Sequence, residues 1–254
     1  MNERKSEPCE RYLAECLFFV CYHEDMRKVK NIILIMLKRT KRFSKRQAVN
    51  KQSIHHDIPY FAQWESPELI EKILTNKISA QDDPNWTNSG AKTKKEYELW
   101  SAIGCGMACT KMIIAYRNHR TIPLVKLGST CLSYGGYTEP LEESAGLIYK
   151  PFVRFLKVEY GLTAESVLPL LFEEIIDELS NGNLIIASVS PHIRHQNSTL
   201  TTGGHLVLVH GYDLEKKSLF FHNPSGFIPE MQSNVVISFA DFKKFYANRG
   251  VIVY

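Results

Sequence analysis

The 254-residue chain has no hydrophobic run long enough to cross a bilayer. Its uninterrupted apolar stretches are short, seven residues at 16–22 and six at 32–37, against roughly 18–20 for a spanning helix. Residues 12–22 are more apolar overall, but Glu15 interrupts them and residues 1–11 mix three Glu with their basic residues, a poor start for a secretory leader. Neither a signal peptide nor a transmembrane helix is expected. Six cysteines at 9, 16, 21, 105, 109 and 131 do not suit a small disulfide-stapled scaffold. A reducing compartment follows, and the cytoplasm is the expected location. Also missing are a Gly/Ser linker, a low-complexity tract, an internal repeat and a Gly-x-x-x-x-Gly-Lys-Ser/Thr phosphate loop.

A basic excess over the main body is missing too. The formal charge of +4 is uneven: residues 1–53 hold 13 Lys+Arg against 6 Asp+Glu, and the remainder holds 18 against 21. The extension is therefore +7 and the rest −3, so nucleic-acid binding is not expected of the main domain. Within the extension, residues 26–46 carry nine Lys/Arg and no acid around the 32–37 run. This basic segment, helical or disordered, is a candidate for contact with an anionic membrane surface or a partner.

What is present from residue 54 onward is an ordinary globular composition, 44% hydrophobic and 23% charged over the whole chain. Residues 58–61 read as extended because Pro59 restricts its neighbour, and Ser66-Pro67-Glu68 predicts a helix to about Leu74. Residues 75–95 read as a surface loop. Residues 105–116 have helical apolar spacing, and 166–179 predict a helix closed at Asn181-Gly182. Four β-like runs follow at 184–189, 205–210, 219–221 and 235–238, then a helix capped by Ser238 to about Ala247 and a strand over 250–254. Helices followed by a mostly antiparallel sheet make an α+β fold. Domains are expected at 1–53 and 54–254.

The chemistry is concentrated in Gly104-Cys105-Gly106-Met107-Ala108-Cys109. A thiol at a helix start is favoured as thiolate by the helix dipole and free N–H groups, and small neighbours admit a substrate carbonyl. Gly203-Gly204-His205 opens a strand with a base, and His222-Asn223-Pro224 ends the next with an amide able to orient the imidazole. Pro59-Tyr60-Phe61-Ala62-Gln63 offers an oxyanion donor to act with the Cys105 N–H. Cys109 reads as a packed residue, and His210 and His222 as pointing away from the site. His55-His56-Asp57 and His192-x-x-His195 lack companions for a zinc site. The loop 191–202 and the turn at Tyr134-Gly135-Gly136-Tyr137 are candidate cleft walls.

The order Gln63, Cys105-Gly106 with Cys109, Gly204-His205 and Asn223-Pro224 resembles the bacteriocin-processing, C39-like cysteine peptidases of the papain-like clan, a bacterial family, over about residues 56–254. The resemblance implies a papain-like fold with Cys105 as nucleophile, His205 as base and acid, Asn223 as orienter and Gln63 as oxyanion donor. It implies a peptide or amide substrate, and neither cofactor nor metal. The chain departs from the exporter-linked members in a 40-residue insertion, 64–103, in an amide where aspartate is common, and in the missing phosphate loop. Leader-peptide cleavage during export is therefore not implied. Peptide or amide hydrolysis through an acyl-thioester is the leading reading. Acyl transfer or peptide ligation from the same intermediate, and a non-catalytic peptide-binding module, are the alternatives.

Overall fold

The computed structural model describes residues 50–144, 146–195 and 203–254. The basic extension, apart from its last residues, and residues 196–202 of the expected cleft loop lie outside them. Seven strands form one wholly antiparallel sheet: β1 (Gln52–Ile54), β2 (Ala164–Val167), β3 (Leu184–Val189), β4 (His205–Asp213), β5 (Ser218–His222), β6 (Val235–Ser238) and β7 (Tyr246–Val253). Their order is β2-β7-β3-β4-β5-β6, with β1 on β4. β3 pairs with residues 205–209 of β4 and β1 with residues 211–213, so the two share one edge of β4 in succession. The folded sheet thus begins at Gln52, just ahead of the boundary expected at 54.

The helices among the described residues are α1 (Ile70–Leu74), α2 (Lys94–Ile103), α3 (Cys105–Asn118), α4 (Leu124–Ser133), α5 (Tyr149–Tyr160), α6 (Phe172–Ser180) and α7 (Phe239–Phe245), of which α3, α5, α6 and α7 pack on the sheet. One core joins α3, α4 and α5 to Leu206, Leu208 and Leu184; a second joins α6 and α7 to Val207, Val209 and Ile185. The side chains alternate along β4, so successive residues enter opposite cores. Met107, Met112, Ile113 and Ile114 of α3 are fully buried, each contributing roughly 1.5–3 kcal/mol of transfer free energy.

Two expected elements differ. The helix expected over 166–179 starts only at Phe172, because residues 164–167 form β2, hydrogen-bonded to the last strand from Ala164↔Val253 to Val167↔Gly250. Sheet pairing overrides the local helical pattern there, and the Glu174 carboxylate accepts from the Leu171 N–H at 2.7 Å to start α6. The stretch 75–95 is not a plain surface loop: it holds 3-10 turns at Ala80–Asp82 and Trp86–Ser89 and buries Asp83. Asp83 accepts from the Ser66 Oγ at 2.6 Å and from the Tyr97 hydroxyl, which also draws Ser66 away from capping.

No single helix among the described residues is long and apolar enough to cross a membrane. The pair α2 and α3 passes on length and composition with an 85° bend between them. Their buried faces belong to the core.

Candidate active site

Cys105 is the first residue of α3, after the bend at Gly104. The first intrahelical bond runs from the Ala108 N–H to the Gly104 carbonyl at 2.9 Å, so the N–H groups of Cys105, Gly106 and Met107 have no helical acceptor. The flanking glycines are needed for packing. A Cβ on Gly104 would lie 2.6 Å from the Trp100 carbonyl oxygen, and one on Gly106 would lie 2.7 Å from Leu147 Cδ2 and 3.1 Å from Leu206 Cδ1. Gly104 thus lets the chain turn closely against α2 and Leu124, and Gly106 brings α3 against Leu147 and Leu206 of β4.

Cys105 is half-buried, and its sulfur faces the backbone at Leu206, the residue after His205. Burial raises the thiol pKa, against the lowering effect of the Leu206 and Gly106 backbone and the positive charge of Arg194. Desolvation thus opposes the helix-start effect expected to favour the thiolate.

His205 opens β4 after Gly203 and Gly204, whose φ values of +84° and +100° suit glycine. Its ring is 1% exposed and Asn223 is fully buried. His205 Nε2 lies 2.9 Å from Asn223 Oδ1, which also accepts from the Ser225 N–H at 3.2 Å. That peptide donor fixes which end of the Asn223 amide is oxygen, so the imidazole carries its proton on Nε2 and donates it there. Ser225 Oγ is a further neighbour of Nε2, at 3.1 Å. His205 Nδ1 has no hydrogen-bond partner among the described residues. Burial, reinforced by Arg194, lowers the imidazole pKa to about 3, so the ring is neutral at working pH.

The segment 58–63 is laced to the end of β5. His222 Nε2 meets the Ile58 carbonyl at 3.0 Å, Tyr60 donates to the Asn223 carbonyl at 3.1 Å, and the Gln63 N–H donates to the Pro224 carbonyl at 2.8 Å. This brings Gln63 across the insertion to the residues just before Cys105. Its amide nitrogen, however, donates to the carbonyls of Ser101 and Ala102, the latter at 3.1 Å. Both amide hydrogens are occupied in tying the end of α2, which differs from the free oxyanion donor expected.

The other candidates lie elsewhere. Cys109 is fully buried with its sulfur 3.8 Å from the Leu206 carbonyl. His210 stacks on His222 at 4.5 Å between ring centres, and His55 meets the Tyr116 hydroxyl at 3.1 Å. His192 and His195 lie edge to face at 5.5 Å. No group of three or more His, Cys, Asp or Glu able to hold a metal occurs among the described residues. Sequence reasoning missed Arg194, Ser225, Ser188, Tyr149 and Arg249, which surround the site. Ser225, two residues after Asn223 in a turn, is the one that a local motif could have exposed.

Residues 55–252 match the family model described as Peptidase_C39 like family. The chain belongs to that family. This is a family of cysteine peptidases, and the α+β architecture agrees with the expectation from sequence. Among solved structures, a protein described as a C39-like peptidase from Bacillus anthracis aligns with TM-score 0.49 and 14% identity, covering 81% of this chain and 98% of that one. The peptidase domain of Streptococcus ComA, a bi-functional ABC transporter involved in quorum sensing, aligns with TM-score 0.40 and 14% identity, covering 60% of this chain and 91% of that domain. No curated protein matches.

Proposed function

We propose that this C39-like protein hydrolyses a peptide or amide bond through an acyl-thioester on Cys105. The observation that carries the reading is the buried His205–Asn223 pair, with Nε2 bonded at 2.9 Å and Nδ1 unpartnered, next to the strand residue that faces the Cys105 sulfur. The thiol proton passes to His205 Nδ1 as Sγ bonds to the scissile carbonyl carbon. The C–N bond then breaks and His205 returns the proton to the leaving amine. Water attacks the thioester, giving one proton to His205; the C–S bond breaks, the carboxylic acid leaves, and the thiol is restored.

The Cys105 N–H at the start of α3 is the assigned oxyanion donor. Gln63 joins it only by releasing the Ser101 or Ala102 carbonyl; otherwise it positions the turn that carries Cys105. Asn223 holds the imidazole and spreads its transient positive charge through Oδ1. The reading needs no cofactor, and a cytoplasmic, reducing setting keeps the thiol available.

Iodoacetamide labelling at pH 8 followed by peptide mapping tests it. Cys105 is expected to react ahead of the other cysteines, and His205→Ala to remove that advantage. Uniform slow labelling of all six would refute an assisted nucleophile. With an acyl substrate in hand, added amines distinguish hydrolysis from transfer.

A further inference from the structure

Two arginines lie around the Cys105–His205 site, Arg194 within electrostatic reach of the Cys105 sulfur and Arg249 on Ser188 of the neighbouring strand, and neither forms an ion pair among the described residues. Arg194 ends the 3-10 turn Pro191–Arg194 and is half-buried; its Nε donates to Ser225 Oγ at 2.8 Å, the same oxygen that lies 3.1 Å from His205 Nε2. Its charge also acts directly on the Cys105 thiol. Arg249 enters from β7, where the register with β3 shifts between Ala187 and Val189. Such bulges re-aim side chains beside active sites. Arg249 Nε donates to Ser188 Oγ at 3.3 Å, and Ser188 stands opposite Leu206 in the β3–β4 register. A Cβ on Gly203 would lie 2.6 Å from Arg249 Nη2, so the glycine leaves room for the guanidinium. Tyr149 interacts with both Ser188 and Arg249 and lies within electrostatic reach of the Cys105 sulfur, tying this group to the nucleophile.

Partly buried cations without counterions are costly. A basic surface does not explain them, since residues 54–254 hold 18 Lys+Arg against 21 Asp+Glu. A guanidinium fork matches a carboxylate in shape and charge. Resting on the acyl-thioester reading above, we propose that Arg194 and Arg249 form an anion subsite and that the substrate presents a carboxylate beside its scissile carbonyl. The carboxylate comes from an acidic side chain or from a free peptide C-terminus.

Iodoacetate and iodoacetamide differ chiefly by that carboxylate, so their relative rates at Cys105 in the full-length protein, read by peptide mapping, test the subsite. The iodoacetate-to-iodoacetamide ratio is expected to be about tenfold higher in the native protein than in an Arg194→Gln, Arg249→Gln double variant, and to fall with salt. Arg194→Lys, which keeps the charge and guards against a folding artefact, retains most of it. An unchanged ratio in the double variant overturns the proposal. Labelling by iodoacetamide without any carboxylate preference overturns it while leaving the nucleophile intact, whereas labelling by neither reagent sinks both. Protection of Cys105 from iodoacetamide by amidated acidic peptides or by neutral peptides with free C-termini identifies the source. Protection by neither counts against the subsite.

Discussion

The two sides of the site are held by different forces. The helix side is set by packing: a Cβ on Gly104 would clash with the Trp100 carbonyl, and one on Gly106 would press on Leu147 and Leu206. The sheet side is set by hydrogen bonds, with Asn223 receiving His205 Nε2 and the Ser225 N–H, donating its own N–H to the Gln232 carbonyl at 2.7 Å, and accepting from Tyr60. Packing responds to added atoms and hydrogen bonds respond to lost partners. Errors on one side therefore read out as stability, and on the other as rate.

The largest effect tests the sheet side. His205→Ala is expected to slow Cys105-dependent turnover by about 10³-fold with little change in fold, followed by circular dichroism. On the helix side, Gly104→Ala forces a Cβ against a backbone oxygen at 2.6 Å and is expected to cost about 2–3 kcal/mol in urea unfolding. Gly106→Ala meets the movable end of Leu147 and should cost less. Equal costs would break the packing argument. Asn223→Ala leaves a buried imidazole N–H without its acceptor, and a loss of about 10–100-fold in turnover is expected. Asn223→Asp, keeping the acceptor, should lose less.

The smallest effect is a slope. His205 and His210 both have pKa values lowered from 6.5 to about 3, chiefly by burial. Above pH 6.5 neither state takes up a proton at these rings. As pH falls from 6.5 towards 3 the unfolded chain binds protons that the native rings refuse, so stability drops by up to about 1.4 kcal/mol per pH unit for each ring. Urea midpoints from pH 7.5 to 5 should show this decline, and His210→Phe should reduce it. A flat profile would mean that these rings are hydrated in the native state.

Much of this was legible from the order of residues. The runs that became β3, β4, β5 and β6 were found because short apolar runs rich in β-branched and aromatic residues sit between turn signals. Cys105, His205 and Asn223 stood out as candidates because each lies where an element starts or ends beside glycine or proline. β2 was missed because its strand character comes from pairing with β7, far away in sequence. The raised thiol pKa was missed because a helix start is visible in sequence and its burial is not. Arg194 and Arg249 carry no motif; only the turn after β3 and the bulge in β7 bring them to the cleft.

The Ser225 peptide N–H that locks the Asn223 oxygen has one more consequence. A carboxylate in that position would be gripped by the same donor and would orient the imidazole equally well, so geometry alone does not choose between Asn and Asp. What differs is the local field. With a neutral amide, Arg194 beside Cys105 keeps its full positive potential for whatever enters the cleft, and an aspartate would spend part of it inside the protein.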